Sequence, residues 1–276
     1  MRRNLLFILL TLLAYSSSFC ESTGHAHIQS LFDTLRESRN DSTKLAVNQR
    51  LTDEIGKLLR QDSSFSAPFQ DLFNLGKVYS DDRNVRIYSW SFPLEDKTYQ
   101  YGAFVQYKSR GKVTTTPLTL QTEPYMPNEM QRLDAKHWYG CLYYKIFKVK
   151  RKKEVYYIAL GWSGNNAATD FKIIEPLSFD KSGRLTTLGK AVFKGITENG
   201  KTKRATLRYI MEYNSEGKAT LNYRPESNQI IFDHLMPIEP IYEGIRSYYG
   251  PDFTYDTFTQ KKGEWFYEEN IDARNK

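Results

Sequence analysis

The chain has 276 residues, a formal net charge of +7 and a hydrophobic fraction of 40%. This composition excludes an intrinsically disordered chain and is enough for one good core with a small appendage. The 20 tyrosines and 16 phenylalanines favour strands over helices, and the basic balance favours an anionic partner.

The first twenty residues predict export. Arg2 and Arg3 precede an apolar run from Leu5 to Ala14, and a small, polar stretch ends at Cys20. This order is typical of a secretory signal peptide, and the run is shorter than the about 20 residues that span a bilayer. We expect residues 1–20 to be removed, no transmembrane span afterwards, and a periplasmic or envelope-associated protein. Export excludes nucleic-acid binding inside the cell.

The cleavage site leaves two alternatives. Cleavage after Cys20 is favoured, and cleavage after Ser18 is the rival. A lipid anchor on Cys20 is less favoured, because bulky Phe19 precedes it. If cleavage follows Cys20, Cys141 is the only remaining thiol, and no internal disulfide is expected. Its apolar surroundings favour a buried side chain over a nucleophile.

Residues 21–75 form the predicted N-terminal helical segment. From Ile28 to Glu37 and from Thr43 to Gln61, apolar residues recur at three- and four-residue steps, as on one face of a helix. Asp41 or Ser42 is the expected cap of the second helix. Pro68 then ends the helical pattern.

Residues 76–276 form the predicted antiparallel β domain. Short strands alternate with Gly, Asn, Asp and Pro turns, which favours a meander in a barrel, a sandwich or a partial propeller. The fold class is therefore α+β and mainly β. Expected strands include Val113–Leu120, an edge strand because of Pro117, Trp138–Val149 and Gly189–Phe193. Met126–Leu133 is expected to be a short inserted helix.

The basic run Lys148–Lys153 lies between two strand-like segments. We favour a solvated hairpin turn over a binding patch for it.

No catalytic motif is intact. Ser163 follows a strand as in a nucleophile elbow, but Asn165 stands where that elbow needs glycine. Asp233 precedes His234, and such a pair can act as an oriented base, although a structural histidine is favoured.

The sequence patterns that would indicate a metal or cofactor site are as weak as the catalytic motifs. Asp252 and Asp256, with Glu243, lack the acidic spacing of a calcium loop. No histidine spacing fits zinc, and no glycine cluster fits a phosphate. We therefore expect neither a cofactor nor a metal.

The four tryptophans offer a further hypothesis. They are Trp90, Trp138, Trp162 and Trp265. Aromatic side chains on a surface bind sugars, but in a β-rich protein most such rings belong to the core, which we favour.

Three groups of motifs carry a resemblance. They are Ser80–Asp82 with Arg86–Trp90; Tyr157–Trp162 with Gly164 and Asn165; and Ile230–Leu235 with Pro237, Tyr249–Asp252, Tyr255 and Asp256. Together they resemble a group of exported envelope proteins of Bacteroidota. The resemblance covers Val78 to Asp272 and implies a periplasmic or envelope location. The resemblance implies no particular activity and no catalytic residues. Because such bacteria export many proteins through a type 9 secretion system, it suggests an accessory role in that machinery or in gliding.

We therefore expect a non-enzymatic envelope protein that binds another envelope protein or an anionic envelope surface. The alternatives are a secreted hydrolase and a glycan-binding module. The candidate functional residues are Trp162, Asn165, Asp233, His234, Asp252 and Asp256.

Overall fold

The computed structural model describes residues 24–121, 128–198 and 201–271. The predicted signal peptide and Cys20 lie outside these residues. The chain divides into two compact units, of which the first ends at Leu75 and the second begins at Gly76. The mainly β, α+β class predicted from the sequence is confirmed.

The first unit contains two helices. Helix α1 covers residues 24–37 and α2 covers Asp41–Leu59, with a 3₁₀ turn at Asp62–Phe65. The predicted apolar stripe of α1 is buried: Ile28, Leu31, Phe32 and Leu35. Burial of this face explains why so short a helix forms.

Helix α2 buries its stripe with one exception. Leu51 and Ile55 are completely buried, whereas Leu45 is 44% exposed. The expected cap was wrong: the cap is Asn40, whose Oδ1 accepts the backbone N–H of Thr43 at 2.8 Å. Four consecutive residues of capping type, Asn40 to Thr43, stand here, and residue type alone does not choose among them.

The second unit begins with a four-stranded antiparallel sheet. Its strands, in spatial order, are β1 (Gly76–Tyr79), β2 (Val85–Pro93), β3 (Tyr99–Ser109) and β4 (Lys112–Leu118). Pro117 lies in β4, which is an edge strand as predicted.

A five-stranded sheet follows, which we call the central sheet. Its strands are β5 (Leu142–Arg151), β6 (Glu154–Gly164), β7 (Thr169–Phe179), β8 (Leu185–Leu188) and β12 (Tyr209–Asn214). The order is β12-β7-β6-β5, and β8 also pairs with β7. The predicted hairpin turn in the basic run lies at Lys152 and Lys153, between β5 and β6.

The third sheet contains the C-terminal strands. It consists of β13 (Leu221–Arg224), β14 (Gln229–Pro237), β15 (Tyr249–Lys261), β16 (Glu264–Ile271) and β9 (Phe193–Lys194), in that order. The pairing of β16 with β9 is parallel. Two short strands, β10 (Thr197–Glu198) and β11 (Lys201–Thr202), pair antiparallel with each other.

The central sheet takes part in two hydrophobic cores. Tyr157 and Ala159 of β6 face the first core, with residues of β2, β3 and β4. Ile158 and Leu160 face the second core, with residues of the third sheet. Successive residues of a strand point to opposite faces, so the central sheet lies between the other two. Of the three arrangements considered, this is a sandwich of open sheets.

Three expected elements differ from the structure. The strand expected at Trp138 begins at Leu142, because Gly140 adopts a φ of +87° and interrupts pairing. Instead of a strand at Gly189–Phe193, β8 ends at Leu188 and β9 begins at Phe193. The described part of Met126–Leu133, residues 128–133, forms a turn and a bridge rather than a helix.

Candidate functional site

An irregularity in the β14–β15 pairing shapes the candidate site. Asp233 pairs with Tyr255, and the next pair joins Leu235 to Pro251. Residues 252–254 therefore form a wide bulge opposite His234. Bulges of this kind redirect side chains. This one lies beside four of the candidate residues predicted from the sequence, which are Asp233, His234, Asp252 and Asp256.

The structure brings His234 and Asp256 together. The His234 Nδ1 lies 3.0 Å from both carboxylate oxygens of Asp256. The Tyr267 hydroxyl donates to Asp256 Oδ2 at 2.6 Å. Burial, followed by the neighbouring Tyr209 and Asp256, raises the pKa of Tyr267, which therefore stays a proton donor. Asp256 thus fixes the ring of His234, as in an oriented acid–base pair.

A cavity of about 400 Å³ opens beside this pair. Its wall includes residues of β12, β14, β15 and β16. Five carboxylates line it: Glu129, Glu212, Asp233, Asp256 and Glu269. Lys203 and Arg246 are its only lysine and arginine among the described residues, so the lining carries an excess of negative charge.

Both basic residues of the cavity have neighbours that hold them. Lys203 lies 3.5 Å from Glu129, and the guanidinium of Arg246 lies over the ring of Tyr249 at 4.5 Å. Glu129 also accepts the backbone N–H of Ile210 from β12 at 3.2 Å. The cavity is therefore braced by contacts between side chains and the strand edge.

The other two acidic candidates have structural contacts. Asp233 lines the cavity, and its carboxylate accepts the backbone N–H of Thr220 at 2.7 Å. Asp252 is exposed and accepts both the N–H and the hydroxyl of Thr254. Slight burial acts to raise the pKa of Asp252, but these hydrogen bonds and nearby His234 lower it.

Trp162 and Asn165 lie at the end of β6 and in the loop after it. The Trp162 indole donates to Asp170 at 3.0 Å. The Asn165 amide donates to Thr169 at 2.7 Å and reaches Glu212, a cavity residue, at 3.4 Å. Asn165 therefore supports one cavity wall, whereas Trp162 is not part of the lining.

The remaining residues considered in the sequence, Ser163 and three of the tryptophans, are buried inside the fold. Ser163 is buried, and its hydroxyl donates to Tyr101 at 3.3 Å. Trp90, Trp138 and Trp265 are buried to 2% exposure or less, so they do not form a surface for sugars. Among the described residues, no cluster of histidine, cysteine, aspartate or glutamate is arranged to hold a metal ion.

The end of the β14–β15 hairpin carries an exposed apolar surface. We call residues 236–253 the excursion; it comprises the last pairs of β14 with β15, the connection between the two strands and part of the bulge. Its exposed large apolar side chains are Met236, Ile238, Ile241, Ile245, Tyr248 and Phe253. Phe253 is 94% exposed and has a φ of +72°, an unfavourable conformation for a bulky residue.

Internal contacts hold the excursion in shape. Tyr242 and Tyr248 stack with ring centroids 4.0 Å apart. The backbone N–H of Ile238 donates to the carbonyl of Tyr248 at 3.0 Å, and that of Gly244 donates to the Tyr249 hydroxyl at 2.9 Å. The apolar side chains are thus displayed on an ordered scaffold.

The exposed apolar side chains of the excursion, Arg246 and Tyr267 were not predicted from the sequence to be functional. A usable signal was present: Ile238, Ile241 and Ile245 interrupt a stretch rich in proline and glycine, where polar side chains are the norm. Tyr267 gave no such signal, because it reaches Asp256 only through the pairing of β15 with β16.

No known protein family, curated protein or solved structure matches the chain. Within the described ranges, none of the helices has the length and apolar character needed to cross a bilayer.

Proposed function

We propose that this is an exported, non-enzymatic protein that binds another component of the cell envelope. The binding surface is the excursion, together with the cavity that adjoins it. Export rests on the sequence of residues 1–20. The more particular role, an accessory of type 9 secretion or gliding machinery, rests on the resemblance alone.

One observation carries the binding function: six large apolar side chains are exposed together on the excursion. Exposing apolar surface costs about 25 cal/mol per Å² relative to burying it. Large apolar side chains exposed in one segment are typical of interaction sites. The stacked tyrosines keep the patch formed before a partner arrives, which reduces the entropy lost on binding.

The experiment compares three proteins in a crosslinked pull-down from the organism's own detergent-solubilised envelope. They are the unmodified chain, the triple variant Ile238→Ser/Ile241→Ser/Phe253→Ser, and the control Phe73→Ser/Val155→Ser. Phe73 and Val155 are 80% and 42% exposed and lie outside the excursion. We expect the triple variant to lose a stoichiometric partner by about tenfold or more, while the control keeps it.

A stability measurement completes this test. The free energy of unfolding, measured in urea, should stay within about 0.5 kcal/mol of the unmodified chain in both variants, because all five side chains are exposed. Equal recovery of the partner by the triple variant and the unmodified chain would contradict the proposal.

A hydrolase ranks second, and the fixed contact between His234 and Asp256 is what favours it. An oriented imidazole can activate water or a hydroxyl group. However, the described residues that line the cavity include neither serine nor cysteine. The described lining therefore holds no nucleophile for a Ser–His or Cys–His mechanism.

A further inference from the structure

We infer that the partner is a protein whose contact segment combines apolar and basic side chains. The apolar side chains would cover the excursion, and a lysine or arginine would enter the adjoining cavity. This inference rests on the proposed function and specifies the chemistry of its partner.

The charge of the excursion is the first argument. Glu239, Glu243 and Asp252 are exposed around its apolar side chains, with Arg246 as the single cation. The whole chain carries a net charge of +7, so this acidic apolar surface contrasts with the rest of the molecule. Complementary charge around an apolar contact favours the right partner and repels wrong ones.

The cavity supplies the second argument. It holds five carboxylates against Lys203 and Arg246, and its wall includes the rings of Tyr209 and Tyr267. Carboxylates beside aromatic rings suit a lysine ammonium or an arginine guanidinium. Glu269 is exposed at this wall and forms no ion pair within the described residues.

The third argument is that the excursion and the cavity adjoin each other. Leu235, immediately before the excursion, and Arg246, within it, both line the cavity. The bulge that exposes Phe253 lies opposite His234, which also lines the cavity. A single bound segment therefore reaches the apolar side chains and the carboxylates together.

The same charges disfavour two other occupants. An anionic lipid surface would be repelled by the carboxylates around the apolar side chains. A second copy of the chain, bound by a two-fold axis through the excursions, would bring like charges together. The partner segment is therefore basic and apolar, and it belongs to another protein.

The test uses fluorescence polarisation with three labelled peptides of about ten residues. One alternates leucine with lysine, one alternates leucine with glutamate, and one alternates serine with lysine. We expect the leucine–lysine peptide to bind at least about tenfold more tightly than either of the others, because only it offers both apolar and cationic groups.

Matched charge reversals locate the binding. Glu269→Lys should weaken binding of the leucine–lysine peptide by about fivefold or more. The control Glu226→Lys makes the same change at an exposed residue in the turn after β13, and it should change binding by less than about twofold. The triple variant of the excursion should also weaken binding.

The outcomes separate this inference from the proposed function. Equal or tighter binding of the leucine–glutamate peptide, or equal effects of the two charge reversals, would overturn the basic partner. Binding to anionic vesicles in place of the peptides, or dimers in sedimentation that the triple variant abolishes, would also overturn it. In each case the envelope pull-down still decides the binding function separately.

Discussion

At the scale of single residues, one buried ion pair stands out in the second unit. Arg208 and Glu175 are both fully buried, and the Arg208 Nε donates to Glu175 Oε2 at 3.0 Å. Tyr139 donates to the same oxygen at 2.7 Å. Arg208 also donates to the backbone carbonyls of Asn128, Gln131 and Leu188. A charged group so deep is tolerated because its donors are satisfied.

Removing Arg208 should be strongly destabilising. We expect Arg208→Met to lower the free energy of unfolding by about 3–5 kcal/mol, because Glu175 becomes a lone buried charge. Urea unfolding followed by circular dichroism measures this loss. The double variant Glu175→Leu/Arg208→Met should recover part of the stability. A loss from Arg208→Met below about 1 kcal/mol would show that the pair contributes little.

At the scale of elements, the turn between β1 and β2 is tied to the central sheet. Asp82, in this turn, lies 2.9 Å from the Lys148 ammonium on β5 and accepts the Tyr157 hydroxyl of β6 at 3.0 Å. It also accepts the Ser80 hydroxyl at 2.7 Å. Burial acts to raise the pKa of Asp82, but the hydrogen bonds from Lys148, Ser80 and Asn84 outweigh it and lower the pKa to about 2.

This shift predicts a definite pH dependence. Because the pKa of Asp82 is lower in the folded state than its ordinary value of 3.8, its contribution is complete above about pH 4 and is lost as the pH falls through about 2. We expect Asp82→Asn to cost about 1–3 kcal/mol at pH 7 and to flatten the stability curve in that acidic window. Urea unfolding at several pH values measures both effects.

Lys148→Met provides the matched comparison. It removes the other partner of the contact, so its cost and that of Asp82→Asn should not add in the double variant. Full additivity would mean that the two side chains act independently and that the pH dependence has another source.

The sequence predicted the elements better than their contacts. The three-and-four spacing of Ile28, Leu31 and Leu35 depends on local geometry alone, and the helix was confirmed. The strand expected at Trp138–Val149 was found, but its predicted start was wrong because a single glycine, Gly140, redirects the backbone and the strand begins at Leu142. Local patterns indicate periodicity, but a turn conformation inside an apolar run leaves no change in period.

At the scale of the whole molecule, the order in which the sheets are layered could not be predicted from the sequence. The apolar run Tyr156–Leu160 is typical of a strand buried on both faces. Which sheets cover it depends on contacts between residues distant in the chain. The candidate site shows the same limit: Asp233 and His234 were recognised as neighbours, whereas the contact of His234 with Asp256 requires the bulge in β15.

The shared central sheet predicts that the two cores of the second unit unfold together. Ile173 is completely buried in the first core and Ile158 in the second. Either truncation to alanine should cost about 2–5 kcal/mol. Both should lower the stability of the whole unit, because the strands that carry them belong to one sheet. The control Val155→Ala changes a side chain that is 42% exposed and should cost far less.

Fluorine NMR of fluorotryptophan-labelled protein follows the two cores separately during urea unfolding. Trp138 lies in the first core and Trp265 in the second, and their folded signals should disappear with one midpoint. Ile158→Ala and Ile173→Ala should each shift both signals equally, since a damaged core removes support from the sheet that the other core needs. Two separate midpoints, or a shift confined to the tryptophan nearer the substitution, would mean that the central sheet does not couple the cores.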